Sequence, residues 1–344
     1  MNRFKKSPVL RAAVFLLIAW MLFHLTSVVL DRRVYYGPAN YRAKLNEFYS
    51  MEENSLSYIG IGSSHMYCTV NPLEVWEDSG ISGFLLASQQ QPLPASVHFL
   101  REALKTQSPD IVFIEGWMGS VKQDYPTEAV AHDAIDSLKP SLNKLQMIGA
   151  ITPPEQWPNY VFSILKYHTN WKELTPVKIR DAFLEPTDLY KGYVCLEERK
   201  DYTPVRPDYS QAVPGTLAEQ DVEALDRMLA LTKDHGAELV LLIAPYTVTP
   251  ESVGMMEAER QWARQNGVEV LDLSLVQEEM GLVGSEDFYD RGPHLNTSGA
   301  RKASLYISRW LQEKGVVPRE NIDGEKWRQD FDTYRSRLTM TEFE

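Results

Sequence analysis

Residues 58–65 read Tyr58-Ile59-Gly60-Ile61-Gly62-Ser63-Ser64-His65. Tyr58, Ile59 and Ile61 make a short apolar, β-branched run that stops at Gly62-Ser63-Ser64. A buried parallel strand ending in a turn has this pattern. Working outward, residues 81–86 form a weaker strand, and 110–115 (DIVFIE) a strong one after Ser108-Pro109. Residues 238–245 (ELVLLIAP) and 268–273 complete the set. Helical patterns separate them. In 95–105, Leu100, Ala103 and Leu104 share one face. Residues 217–235 are amphipathic and close at Gly236; 255–265 close at Asn266-Gly267; 298–314 close at Gly315. Five strands alternating with helices predict an α/β fold: a flavodoxin-like three-layer sandwich around a five-stranded parallel sheet.

Before the first strand, residues 40–55 read as a polar, helix-prone connector. Residues 12–30 carry no formal charge, which is about one bilayer crossing at helical rise. Arg3, Lys5, Lys6 and Arg11 precede this run, so the charge bias places the N-terminus in the cytoplasm. Arg32 and Arg33 oppose that bias, with Asp31 beside them. A cleaved signal peptide or a core helix are the alternatives. The run exceeds a usual signal core, and Gly37-Pro38-Ala39 is a poor cleavage site. A retained single-pass anchor is therefore expected over residues 1–35, with one extracytoplasmic body over 36–344. Between about 118 and 216 the pattern loosens into Trp-, Tyr- and Pro-rich sequence. A structureless stretch of that length is implausible in a compact domain, so a helical insertion is expected. The charged tail from 318 keeps Trp327, Phe331 and Tyr334 and should pack on the body.

The chain has 344 residues, 44% of them apolar, ample for a large core. A formal net charge of -12 argues against a nucleic-acid partner, which calls for a basic face. Cys68 and Cys195 make no disulfide framework; they can pair with each other or stay as buried thiols. The seven histidines show no metal-ligand spacing such as HExxH, so neither metal nor other cofactor is expected.

In an open parallel sheet, chemistry gathers at the carboxyl ends of the strands. The first strand ends in Ser63-Ser64-His65. The last is followed by Asp287-Phe288-Tyr289-Asp290-Arg291-Gly292-Pro293-His294-Leu295-Asn296, which leads into the final 298–314 helix. A serine hydroxyl is a poor nucleophile until an imidazole removes its proton, and that imidazole needs a carboxylate to fix its tautomer. Acid and histidine on one loop can be oriented by a single turn. Taken singly, Gly-Ser-Ser is also an ordinary turn with a capping serine, and a histidine before a helix is often structural. Their joint position at two strand ends favours Ser64 as nucleophile and His294 as base. A G-x-S-x-G elbow is absent.

GSSH after the first strand, with HLN near the C-terminus, resembles the SGNH (GDSL-type) hydrolase superfamily. Within it the chain resembles membrane-anchored bacterial members, such as the D-alanyl transfer protein of teichoic acid synthesis and exopolysaccharide O-acetyltransferases. The resemblance covers 57–72 and about 217–312. It implies that Ser64 takes the nucleophile's place and His294 the base's. It also implies an acid three positions before that histidine. Arg291 stands there, so Asp290 is the nearest acid, with Gly292-Pro293 able to bulge the loop, and Asp287 the fallback. The superfamily's oxyanion donors are altered as well. Backbone amides near Ser88 and the side chains of Gln89 or Gln90 stand in the second block. The third reads Glu115-Gly116-Trp117-Met118, without the usual asparagine. In this the chain is similar to the acyl-transfer members rather than to ordinary lipases.

His65 can line the pocket or sit on a turn. Tyr167-His168 and Trp171 can form a substrate wall or simply pack. Asn296-Thr297-Ser298 is formally a glycosylation sequon and reads as a helix cap. The resemblance implies acyl transfer or ester hydrolysis through an acyl-serine on a cell-envelope polysaccharide or teichoic-acid-like polymer. A multi-span acyltransferase is the partner to expect. The alternative is a non-catalytic scaffold that binds such an acyltransferase.

Overall fold

The computed structural model describes residues 7–30, 40–120, 125–184, 187–202, 205–245, 249–291 and 294–341. They fall into two compact units. One holds residues 1–37 and 153–186, the other 38–152 and 187–344.

The second unit is built on the sheet. Strands β1 (Tyr58–Gly62), β2 (Gly83–Ala87), β3 (Ile111–Glu115), β4 (Glu238–Ile243) and β5 (Glu269–Asp272) run in the order β2-β1-β3-β4-β5. Every neighbouring pair is parallel. This is the flavodoxin-like order, and its direction of winding reverses between β1 and β3. β1, β2 and β3 are buried along their whole length, which is why they read as apolar runs rather than alternations. Tyr58 pairs with Gly83 across β1 and β2, and its ring fills the space a Cβ at Gly83 would need.

The helices, in chain order, are α1 (Pro8–Leu30), α2 (Tyr41–Ser50), α3 (Ser64–Thr69), α4 (Pro72–Ser79), α5 (Leu93–Ala103), α6 (Glu128–Ser137) and α7 (Leu142–Ile151). Then come α8 (Trp157–Val161), α9 (Ser163–Tyr167), α10 (Pro176–Asp181), α11 (Glu219–Asp234) and α12 (Pro250–Asn266). Last are α13 (Gln277–Met280), α14 (Thr297–Glu313) and α15 (Gly324–Thr341). α4 packs against α14, and α5 against α11. α15 lies on α4 and buries Trp327, Phe331 and Tyr334, as the tail's aromatics predicted. α12 starts five residues before the expected 255. Thr249 and Ser252 form a reciprocal capping box with Pro250 at the first turn, and that pulls the start forward.

The other unit joins α1 to α8, α9, α10 and the 3-10 turn His168–Glu173. Of the stretch 118–216, residues 153–186 group here and the rest with the sheet. Ser27 and Ser163 share a hydrogen bond of 3.1 Å, and the Asn170 side chain donates to the Leu30 carbonyl at 2.9 Å. Among the described residues, α1 is the one helix long and apolar enough to cross a membrane. Arg3, Lys5, Lys6, Asp31, Arg32, Arg33 and Gly37-Pro38-Ala39 lie outside the described residues.

Candidate active site

The site begins at the carboxyl end of β1. Ser63 is the N-cap of α3; its hydroxyl oxygen accepts the His65 N–H at 3.2 Å. That leaves Ser64 as the first helical residue, half-buried, rather than as the cap. Glu115, at the end of β3, fixes the turn. Its Oε2 accepts the Ser63 hydroxyl at 2.6 Å and the Ser63 N–H at 3.1 Å. Its Oε1 accepts the Trp117 N–H at 2.7 Å. One buried carboxyl thus ties two strand ends together across the reversal point of the sheet. Burial pushes the Glu115 carboxyl above its usual range, against the pull of its bond from Ser63. The approach is close: a Cβ at Gly62 would lie 2.6 Å from the Glu115 Cβ. Glycine there is what lets the two strands carry this link.

The second half of the site is the loop before α14. Phe288 and Leu295 form an antiparallel bridge; Tyr289 N–H donates to the His294 carbonyl and Asn296 N–H to that of Asp287. Asn296 caps α14 by accepting the Gly299 N–H at 3.1 Å, so the sequon residues do serve as a cap. Asp290 curls back onto the histidine. Its Oδ1 accepts the His294 N–H at 3.0 Å, and its Oδ2 lies 2.7 Å from His294 Nδ1. His294 Nε2 lies 2.8 Å from Ser64 Oγ. With Nδ1–H donating to the carboxylate, Nε2 is left to accept the serine proton. The four-residue spacing between Asp290 and His294 is therefore bridged, while Gly292-Pro293, the expected bulge, lies outside the described residues. Asp287 is fully buried and turned elsewhere; its Oδ2 accepts from Lys302 Nζ and the Val283 N–H, each at 2.6 Å.

The other expected residues fare differently. His65 is buried beside the pair, 4.6 Å from the Trp117 ring and 5.4 Å from the His294 ring, with Nδ1 3.8 Å from Glu115 Oε1. Burial, and then the neighbouring His294, hold its pKa well below the usual histidine value. The donors expected around Ser88 are taken. Ser88 N–H donates to the Gly62 carbonyl, its hydroxyl to Gln91 Oε1, and Gln89 N–H to the Tyr41 hydroxyl. The side chains of Gln89 and Gln90 are exposed, and Gln90 takes a positive φ of 48°. The turn after β2 spends these amides on β1 and α2. His168 belongs to the other unit and donates through Nδ1 to the Leu165 carbonyl. Cys68 and Cys195 are buried free thiols.

Sequence reading passed over Glu115 and Lys44. Glu115 had a signal, since it is the one charge closing an apolar strand. Lys44 had none. Its Nζ is buried, donates to the Ala87 carbonyl at 2.8 Å and sits over the rings of Tyr67 (5.0 Å) and Tyr41 (5.4 Å). Burial pushes Lys44 down to about 8. Burial, with Tyr41 next in effect, pushes the Tyr67 phenol well above its ordinary value, and Ser64 acts weakly the other way.

No protein-family model matches the chain, and no curated protein does. Several solved structures are similar to it, two of which follow. One, described as a lipolytic protein of the G-D-S-L family from Desulfitobacterium hafniense, is 13% identical with a TM-score of 0.39, covering 74% of this chain and 99% of that one. The other, a gut microbial diltiazem-metabolizing enzyme, is 13% identical with a TM-score of 0.27, covering 74% of this chain and 46% of that one.

Proposed function

We propose that this protein is a serine-dependent acyl-transfer or ester-hydrolysing enzyme. The observation that carries the reading is the hydrogen-bonded relay from Asp290 through His294 to Ser64, at 2.7 and 2.8 Å. His294 Nε2 takes the Ser64 proton as Oγ attacks the acyl carbon. Asp290 holds the imidazole and its positive charge. His294 then returns the proton to the leaving oxygen as the ester C–O bond breaks, leaving acyl-Ser64. An acceptor hydroxyl, or water, then gives its proton to His294 and attacks the acyl carbon; the bond to Ser64 Oγ breaks, and His294 returns the proton to Oγ. Ser64 opens α3, and first-turn amides have no intrahelical acceptor, so its own N–H is the donor we assign to the oxyanion.

The substrate class we infer is an acyl or acetyl group on a cell-envelope polymer. The length and composition of α1 support a single-pass anchor, and the basic residues before it support an N-terminus in the cytoplasm with the sheet unit outside. A second reading, a scaffold for a membrane acyltransferase, is favoured by one observation: the amides of Ser88 and Gln89 already have acceptors. Hydrolysis of p-nitrophenyl acetate by the purified chain separates the two. The enzyme reading expects turnover that Ser64→Ala abolishes in a folded sample. Turnover equal in the variant and the parent sinks it.

A further inference from the structure

Residues 157–184 leave many large apolar side chains in the open. Trp157, Phe162, Leu165, Trp171, Phe183 and Leu184 are each between 42% and 62% exposed. An apolar surface of this extent marks a contact with something other than water. What covers it follows from its neighbour. Phe162 packs edge-on against Phe23 of α1, with ring centroids 6.2 Å apart. Ser163 bonds Ser27, and Asn170 bonds the carbonyl of Leu30, so the segment clasps the last turns of α1. α1 has 23 residues, about 35 Å of helix against a hydrocarbon core of about 30 Å. Phe23 stands seven residues before Leu30, roughly 10 Å along the axis. A centred α1 therefore carries Phe23, and the ring of Phe162 upon it, below the bilayer surface.

The segment's chemistry fits that depth. α8, α9 and the turn His168–Glu173 are helical, so part of the backbone hydrogen bonding there is internal. Trp157 and Trp171 are the residue type that concentrates at membrane interfaces. Lys166 and Lys172 have stems long enough to lie on apolar surface while the ammonium reaches the headgroups.

We propose that residues 157–184 form an interfacial membrane collar, a second bilayer contact that lies in the leaflet at the C-terminal end of α1. The inference rests on reading α1 as a membrane span. The collar would hold the chain at a fixed height and tilt, which a lone helix cannot do.

The test uses the full chain in phosphatidylcholine–phosphatidylglycerol vesicles, with an environment-sensitive fluorophore at Leu165→Cys, Trp171→Cys or Phe15→Cys. Cys68 and Cys195 are buried, and the unsubstituted chain sets their background. The proposal expects severalfold quenching by lipid-borne nitroxide, and protection from iodide, at all three positions. Quenching at Phe15 with iodide access at 165 and 171 overturns the collar and leaves the anchor standing; it would assign the face to a protein partner. Iodide access at all three overturns the anchor and the collar with it.

Discussion

His294 Nε2 and Ser64 Oγ meet at 2.8 Å although 230 positions separate them in the chain. The end of β1 and the loop between α13 and α14 make the meeting possible. Ser64 follows β1, which lies inside the sheet, and the His294 loop follows β5 and enters α14. The contact asks for a base whose other nitrogen is held, and Asp290 supplies that hold at 2.7 Å.

The choice between Asp290 and Asp287 is therefore testable. Asp290→Asn should lower kcat by roughly 10²–10⁴-fold with little change in Tm, because the tautomer is no longer fixed. Asp287→Asn should keep most activity and lose about 1–3 kcal/mol of stability, since it weakens a buried bond to Lys302. Turnover and urea midpoints on both variants check this; the reverse pattern would move the acid to Asp287.

Glu115 acts on the nucleophile through Ser63. Glu115→Ala leaves three donors without their acceptor and should cost about 1–3 kcal/mol. Glu115→Gln keeps the shape but can accept at only one atom. It should fold and show reduced kcat at unchanged KM. A Gln variant with parental kcat would leave Glu115 no part in positioning Ser64.

Gly62 is predicted to be intolerant for a related reason. Gly62→Ala drives a methyl into the Glu115 Cβ and should destabilise by about 1–3 kcal/mol. Thermal melting of Gly62→Ala beside Glu115→Ala tests the link. A melting point equal to the parent's would show that the strands do not approach as described.

Stability should fall as pH rises from acid toward neutral. Burial, then the charge of Glu115, then that of Asp221 raise Glu259 well above its usual value, and burial alone pushes Asp221 up to about 6. Each group binds its proton more tightly in the folded state than in the unfolded. Their favourable contribution is full below the unfolded values and is lost as pH climbs through the raised ones. Glu259 Oε1 has no hydrogen-bond partner among the described residues, in keeping with the direction of its shift. Urea midpoints between pH 4 and 8 should decline less steeply for Glu259→Gln than for the parent. Parallel curves would contradict the assignment.

The fold was legible because β1, β2 and β3 are buried on both faces, and apolar runs closed by turns carry that signal directly. Ends were less legible. β2 runs Gly83–Ala87 rather than 81–86, since Ser82 spends its hydroxyl on the Ser55 carbonyl and its own carbonyl on Ser57 N–H before the ladder begins. Ser64, His294 and Asp290 were legible as types at strand ends. Ser88 misled because a backbone amide has no sequence signature, and its acceptor, the Gly62 carbonyl, comes from another strand. Lys44 was illegible for the same reason: only the packed structure places it over Tyr41 and Tyr67. His168 belongs to a unit separate from the sheet and is spent on the Leu165 carbonyl.

The most direct measurement is covalent capture of the nucleophile. The full chain is treated with a fluorophosphonate, digested, and its peptides are read by mass spectrometry. The account predicts one adduct, on Ser64, that disappears in Ser64→Ala and falls by roughly 10³-fold in rate in His294→Ala. A folded chain that takes up no probe at Ser64, or takes it up at the same rate without His294, would contradict it.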